Sequence, residues 1–291
     1  MKPTFIGLGA QKCASTWMYR VLQDHPEAAM SEPKELDYFS YYYGRGYYWY
    51  EQFFADIATN KKAVGEISPS YLPHPLAPQR AYLYNPGFRI ILAVRDPVER
   101  AYSNHLHMVK LGYLKGSDCS FEYGLKNNPM YVEQSRYATH LAAWLTVFPR
   151  NQVLVLFQED IRDTPLMQAR TMYRFLGLAE EHQPYFVEEK VNESISVKNN
   201  RADDFLKQIG QLGRSMGVGR VVEVIKRNDL IRHLRRRHNQ IDLRKIIPPL
   251  REDTKAYLQD VFADDMRELA QQLGRKELPW PSWRALLNKS K

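Results

Sequence analysis

The chain has 291 residues, 44% of them hydrophobic and 25% charged, which describes an ordinary globular protein long enough to bury a sizeable core. That composition excludes a disordered chain, no run approaches the ~18 apolar residues of a membrane span, and two cysteines cannot supply a disulfide framework. The formal charge is +8, and ten Lys or Arg against three acids between Arg214 and Lys245 carry +7 of it, which favours an anionic ligand, an acidic polymer or a membrane surface.

Short apolar runs alternate with helical patterns, which predicts an α/β fold around a central, mainly parallel sheet. Met1–Gly9 is too short and Gly-broken for a secretory segment, so the expected location is cytoplasmic. The first strand is Thr4–Leu8, followed by a small-residue turn and a helix over about Ser15–Gln23. Tyr38–Tyr50 is crowded with aromatics. Ala63–Ile67 reads as a strand, and a helix follows over about Gln79–Tyr84. Phe88–Val94 is the strongest strand, ended by Arg95-Asp96-Pro97. Pro97 suits the first turn of a helix from Val98 to about Lys110. Helices are expected at Gln134–Val147 and Leu166–Leu176, with a buried strand at Val153–Phe157 between them. Helices at Ala202–Leu212 and Asp253–Leu273 complete the pattern. No repeat or linker interrupts it. A single domain over residues 1–291 is expected, with its core at about 4–178 and a basic helical part at about 190–291.

The first chemical motif runs from Phe5 to Trp17: strand, small-residue loop, lysine, helix start. Small residues let backbone N–H groups approach an anion, and the helix N-terminus adds its positive dipole end. Lys12 contributes a charge, Ser15 and Thr16 hydroxyl donors. A phosphate or sulfate cradle and a plain βα turn with Ser15 as N-cap are both open on this segment alone. A Walker loop is not matched, because Gln11 rather than Gly stands immediately before Lys12 and the hydroxyls come three and four residues after it. The dinucleotide pattern fails too, since Lys12 stands where its third Gly belongs.

The second motif runs from Arg89 to His105. It puts Arg95 at the C-terminal end of a buried strand, where open α/β sheets bind ligands. Arg100, Ser103 and His107 share a face of the following helix. A guanidinium and a hydroxyl converging there suit a phosphomonoester. Alternatively, Arg95 and Arg100 pair locally with Asp96 and Glu99.

Taken together, these segments resemble the 5′-phosphosulfate loop and 3′-phosphate motif of sulfotransferases that use 3′-phosphoadenosine 5′-phosphosulfate (PAPS). The likeness is closer to the bacterial and heparan-sulfate-type branch than to the cytosolic steroid and phenol branch. Glu32–Phe39 resembles that branch's Lys-Glu-x-x-Phe-Phe segment, and Gly65–Leu72 its Glu-Lys-Thr-Pro-x-Tyr segment. Arg136–Leu141, Trp144-Leu145, Phe148-Pro149 and Glu159-Asp160 resemble its later series. The resemblance covers about Phe5–Leu178, more loosely the C-terminal helix ending near Trp280, and fades across Asn192–Leu250. It implies a P-loop-like three-layer fold.

It also implies roles. Lys12 falls at the bridging oxygen and sulfuryl group, with Ala14, Ser15, Thr16 and Trp17 around the phosphosulfate. Arg95 and Ser103 fall at the 3′-phosphate, and Lys198 and Arg201 in a loop over the adenine. Glu35 occupies the place of the general base, with His105 or His107 as the rival. Asp37 stands where heparan-type enzymes often carry His, and Ile67 where they carry a lysine that meets the glycan. PAPS is the implied co-substrate, 3′,5′-bisphosphoadenosine (PAP) the product, and no metal is expected. The implied partner is a hydroxyl-bearing acceptor: a glycan, a lipid-linked sugar or a small natural product. No nucleic-acid partner is expected. A nucleotide kinase is the rival enzyme, and a basic polyanion- or membrane-binding module, driven by Arg232–Arg237, is the non-enzyme alternative.

Overall fold

The computed structural model describes residues 1–185, 195–197, 240–242, 247–280 and 283. Five parallel strands form one sheet in the order β2-β3-β1-β4-β5: β1 (Phe5–Gly9), β2 (Ala28–Met30), β3 (Ala63–Ile67), β4 (Arg89–Val94) and β5 (Val153–Phe157). Phe5 lies opposite both Gly65 and Arg89, and Ile90 opposite Val153, and the β1–β4 register shifts by one residue between Gly7 and Gly9. Residues of β1 and β3 are buried at every position, as strands covered on both faces must be, which explains their continuous rather than alternating patterns. Gly65 is required by close approach: a Cβ there would lie 2.2 Å from the Phe5 carbonyl oxygen.

Helix α1 (Ser15–Asp24) follows β1, α2 (Gly46–Glu51) lies in the aromatic stretch, α3 (Ala77–Tyr84) leads to β4, and α4 (Pro97–Lys110) follows it. The segment expected as one helix over Gln134–Val147 is divided. After α5 (Phe121–Asn127), a short α6 (Met130–Glu133) ends at a turn, and α7 (Tyr137–Leu145) begins anew. The break is held by Arg100, whose buried guanidinium donates to Ser135 Oγ and to the Tyr131 carbonyl at 2.7 Å. Beyond β5 come α8 (Gln158–Asp163) and α9 (Pro165–Leu176). The C-terminal helix, Glu252–Gln272, supplies Asp265, whose buried carboxylate accepts from the Ala138 and Thr139 amides at 3.0 Å each. An acidic group there satisfies otherwise orphaned donors at the start of α7.

Two compact units divide the chain. The larger comprises Met1–His105, Phe121–Val191 and Leu250–Lys291, and contains the five-stranded sheet. The smaller comprises Leu106–Ser120 and Asn192–Pro249, and its described part includes an antiparallel pair, Ile195–Val197 with Gln240–Asp242. The expected helix Ala202–Leu212 and the arginine cluster Arg232–Arg237 lie outside the described residues. No described helix is long and apolar enough to cross a membrane.

Candidate active site

The loop after β1 is built by its backbone. Gly9 has φ +92°, and a Cβ there would lie 2.8 Å from Pro69 Cα. The Ala10 amide donates to the Ala93 carbonyl at 2.7 Å, which ties the loop to β4 two residues before Arg95. Lys12 and Ala14 then adopt left-handed φ values of 69° and 64°. Ala14, not Ser15, is the N-cap of α1, and no side chain caps that end. The first amides of α1 are therefore left to face an incoming anion. The Trp17 indole N–H is buried with no acceptor among the described residues. The uncapped start of α1, Lys12 in the loop before it and the hydroxyls of Ser15 and Thr16 are groups that could hold an anion.

Cys13 faces inward from that loop. Its thiol lies 3.6 Å from the Tyr137 hydroxyl, and burial pushes its pKa up to about 12. It is a protonated packing residue rather than a thiolate nucleophile.

At the end of β4, the Arg95 side chain is largely buried and donates to Glu99 Oε2 at 3.1 Å. The neighbouring Asp96 caps α4 by accepting from the Val98 and Glu99 amides, at 2.9 and 3.2 Å. Ser103 is buried farther along α4. Adjacent pairing of β1 and β4 brings the Lys12 loop and the Arg95 strand end to one edge of the sheet. Arg100 does not join them, because its guanidinium is engaged with the Met130–Ser135 segment.

Glu35 and its neighbour Lys34 come to the loop from β2. Lys34 Nζ donates to Ser15 Oγ at 3.4 Å and pairs directly with the Glu35 carboxylate. Glu35 thus forms a local ion pair with its neighbour in sequence, and Lys34 docks that pair on the cradle. Sequence reasoning gave Lys34 no role of its own; a lysine beside a carboxylate reads as a surface pair until the fold lays it against Ser15. The Glu35 side chain remains 44% exposed.

His105 has different surroundings. It is wholly buried, with Nδ1 3.3 Å from the Tyr131 hydroxyl and its ring 5.6 Å from that of Phe121. A Cβ on Gly124 would meet His105 Nδ1 at 2.6 Å, so the ring is tightly packed on that side as well. His107 falls in the smaller unit, and Lys198 and Arg201 lie outside the described residues. Groups of three or more His, Cys, Asp or Glu able to hold a metal do not occur among the described residues.

The family model described as "Sulfotransferase domain" matches residues 2–241. The chain is 27% identical over 300 residues to bifunctional heparan sulfate N-deacetylase/N-sulfotransferase 1 of Mus musculus, covering 97% of this chain and 30% of that protein. It is 25% identical over 301 residues to enzyme 3 of the same name from Homo sapiens, covering 97% and 31%. It thus spans under a third of the length of these curated relatives. A sulfotransferase crystal structure from Alicyclobacillus acidocaldarius superposes with a TM-score of 0.70 at 22% identity, over 98% of this chain and 99% of that one, a likeness of fold.

Proposed function

Because this chain belongs to the sulfotransferase-domain family, we propose that it moves a sulfuryl group from PAPS to an acceptor hydroxyl, with Glu35 as general base. PAPS supplies the sulfuryl group and a phosphate leaving group. The bond between sulfur and the bridging oxygen breaks as the acceptor oxygen bonds to sulfur, and the acceptor proton passes to Glu35. PAP leaves with the bridging oxygen, on which charge grows in the transition state. Lys12 and the first amides of α1 stabilise that charge where it develops. Arg95 and Ser103 hold the 3′-phosphate.

The observation that carries the reading is the link Ser15–Lys34–Glu35, a carboxylate tied through one lysine to the hydroxyl of an anion cradle. Glu35 is solvent-accessible, while His105 is enclosed by protein. An acceptor amine is the second reading, favoured by the likeness to proteins named N-sulfotransferases. The test is an acceptor panel of sugar hydroxyls and sugar amines with labelled PAPS, read by mass for the gain of one SO₃. Adenylyl sulfate, which lacks the 3′-phosphate, serves as control. Wild type should prefer PAPS, and Arg95→Ala should lose much of that preference. Equal preference in the two proteins contradicts the Arg95 assignment.

A further inference from the structure

Behind the Glu35 turn lies a second carboxylate. Glu66 is the fourth residue of β3 and is wholly buried. Its Oε2 accepts from Ser68 Oγ at 2.6 Å, and its Oε1 accepts from the Tyr71 hydroxyl and, at 3.5 Å, from the Tyr50 hydroxyl. The two closer hydroxyls also face the turn. The Asp37 amide donates to Ser68 Oγ at 2.9 Å, and the Tyr38 amide donates to the Tyr71 hydroxyl at 2.9 Å. Two consecutive amides of the turn, those of Asp37 and Tyr38, therefore lead to one buried carboxylate through one hydroxyl each.

Each hydroxyl accepts from the turn and keeps its own O–H to donate, and the ionised form of Glu66 accepts from both. A carboxylate in the core is costly where an apolar side chain would pack without a desolvation penalty. The segment it holds is one that needs holding: Glu35 and Asp37 adopt φ values of 66° and 52°, which side chains disfavour. That strain sits beside the proposed reacting groups.

We propose that Glu66 is a positioning residue for sulfuryl transfer: through Ser68 and Tyr71 it fixes the amides that follow Glu35 and so orients Glu35 beside the Lys12 loop. This rests on the reading of Glu35 as the base. Glu66 itself touches no reacting atom and acts through the turn.

The test is a set of double-mutant cycles. Tyr71→Phe, Ser68→Ala and Glu66→Gln are made in wild type and in a Glu35→Gln background. The probe is labelled PAPS alone, converted to PAP and sulfate in single turnovers with water as acceptor. PAP affinity is measured in parallel. In wild type, each hydroxyl deletion should slow turnover about 5- to 30-fold and Glu66→Gln about 30-fold or more, with PAP affinity within about twofold. In the Glu35→Gln background the same changes should cost almost nothing further. Equal losses in both backgrounds overturn the positioning role and leave the base reading standing. A wild-type rate for Glu35→Gln alone overturns the base reading and the proposal with it. Should Glu66→Gln fail to fold, Tyr71→Phe and Ser68→Ala decide the matter, since each leaves the carboxylate in place.

Discussion

Lys12 and Ala14 in the loop after β1, and Glu35 and Asp37 in the turn after β2, are the non-glycine residues with positive φ among the described residues. The two pairs have the same spacing, and each contains one of the groups assigned to the reaction. They are held differently. The Lys12 loop is secured by main chain: Gly9 against Pro69, the Ala10 amide on Ala93, the Cys13 amide on Ala10. The Glu35 turn is secured by side chains of β3 and the segment after it, Glu66, Ser68 and Tyr71. A main-chain cradle tolerates most side-chain changes apart from its lysine. A turn hung on a buried carboxylate is vulnerable to substitutions at residues that never meet substrate.

The largest expected effect breaks the cradle chemically while leaving its shape. Lys12→Ala should lower turnover at least ~10²-fold and weaken PAP binding far less, because the contact strengthens as charge develops on the leaving oxygen. Single-turnover rates beside PAP titration check this, and equal losses in both would contradict the role.

The next effect sharpens the contrast through pH. Burial pushes the Glu66 pKa up to about 7 from a usual value of 4.5, against the pull of its hydrogen bonds. Over that interval the folded protein holds a proton that the unfolded chain has released. Stability contributed by this group is therefore present below about pH 4.5 and is lost as pH rises through about 7. Asp37, also raised by burial, acts with the same sign. Glu66→Gln should remove its share of the decline, on the order of 3 kcal/mol, seen as the difference between the two proteins' unfolding curves across pH. Parallel curves would show that Glu66 is ionised throughout.

The smallest effect concerns the cradle backbone. Ala14→Gly places the residue suited to left-handed φ at the N-cap of α1, and should raise stability by about 0.5–1 kcal/mol, less what glycine costs through the unfolded chain. A chemical-denaturation midpoint that falls instead would mean that the alanine methyl packs usefully.

Much of this site was legible in the sequence. Continuous apolar runs marked β1, β4 and β5, because buried parallel strands cannot alternate, and Arg95-Asp96-Pro97 marked where β4 stops. The three-residue edge strand β2 was not legible, since three residues carry no period. Nor was the division between α6 and α7, whose cause is a guanidinium arriving from α4, many residues away in sequence. Lys34 and Glu66 were quoted within family-like segments but had no role assigned. Their significance depends on what lies across from them: Ser15 for the lysine, the amides after Glu35 for the carboxylate. Local spacing cannot carry that information.

The most direct test of the central claim, that a carboxylate docked on the phosphosulfate cradle takes the acceptor proton, is the pH–rate profile of Glu35→Gln with PAP affinity measured on the same protein. Affinity should be nearly unchanged, turnover should fall about 10²-fold or more, and the acid limb set by a carboxylate should vanish. Near-wild-type turnover with that limb intact would contradict the account and move the base to another residue.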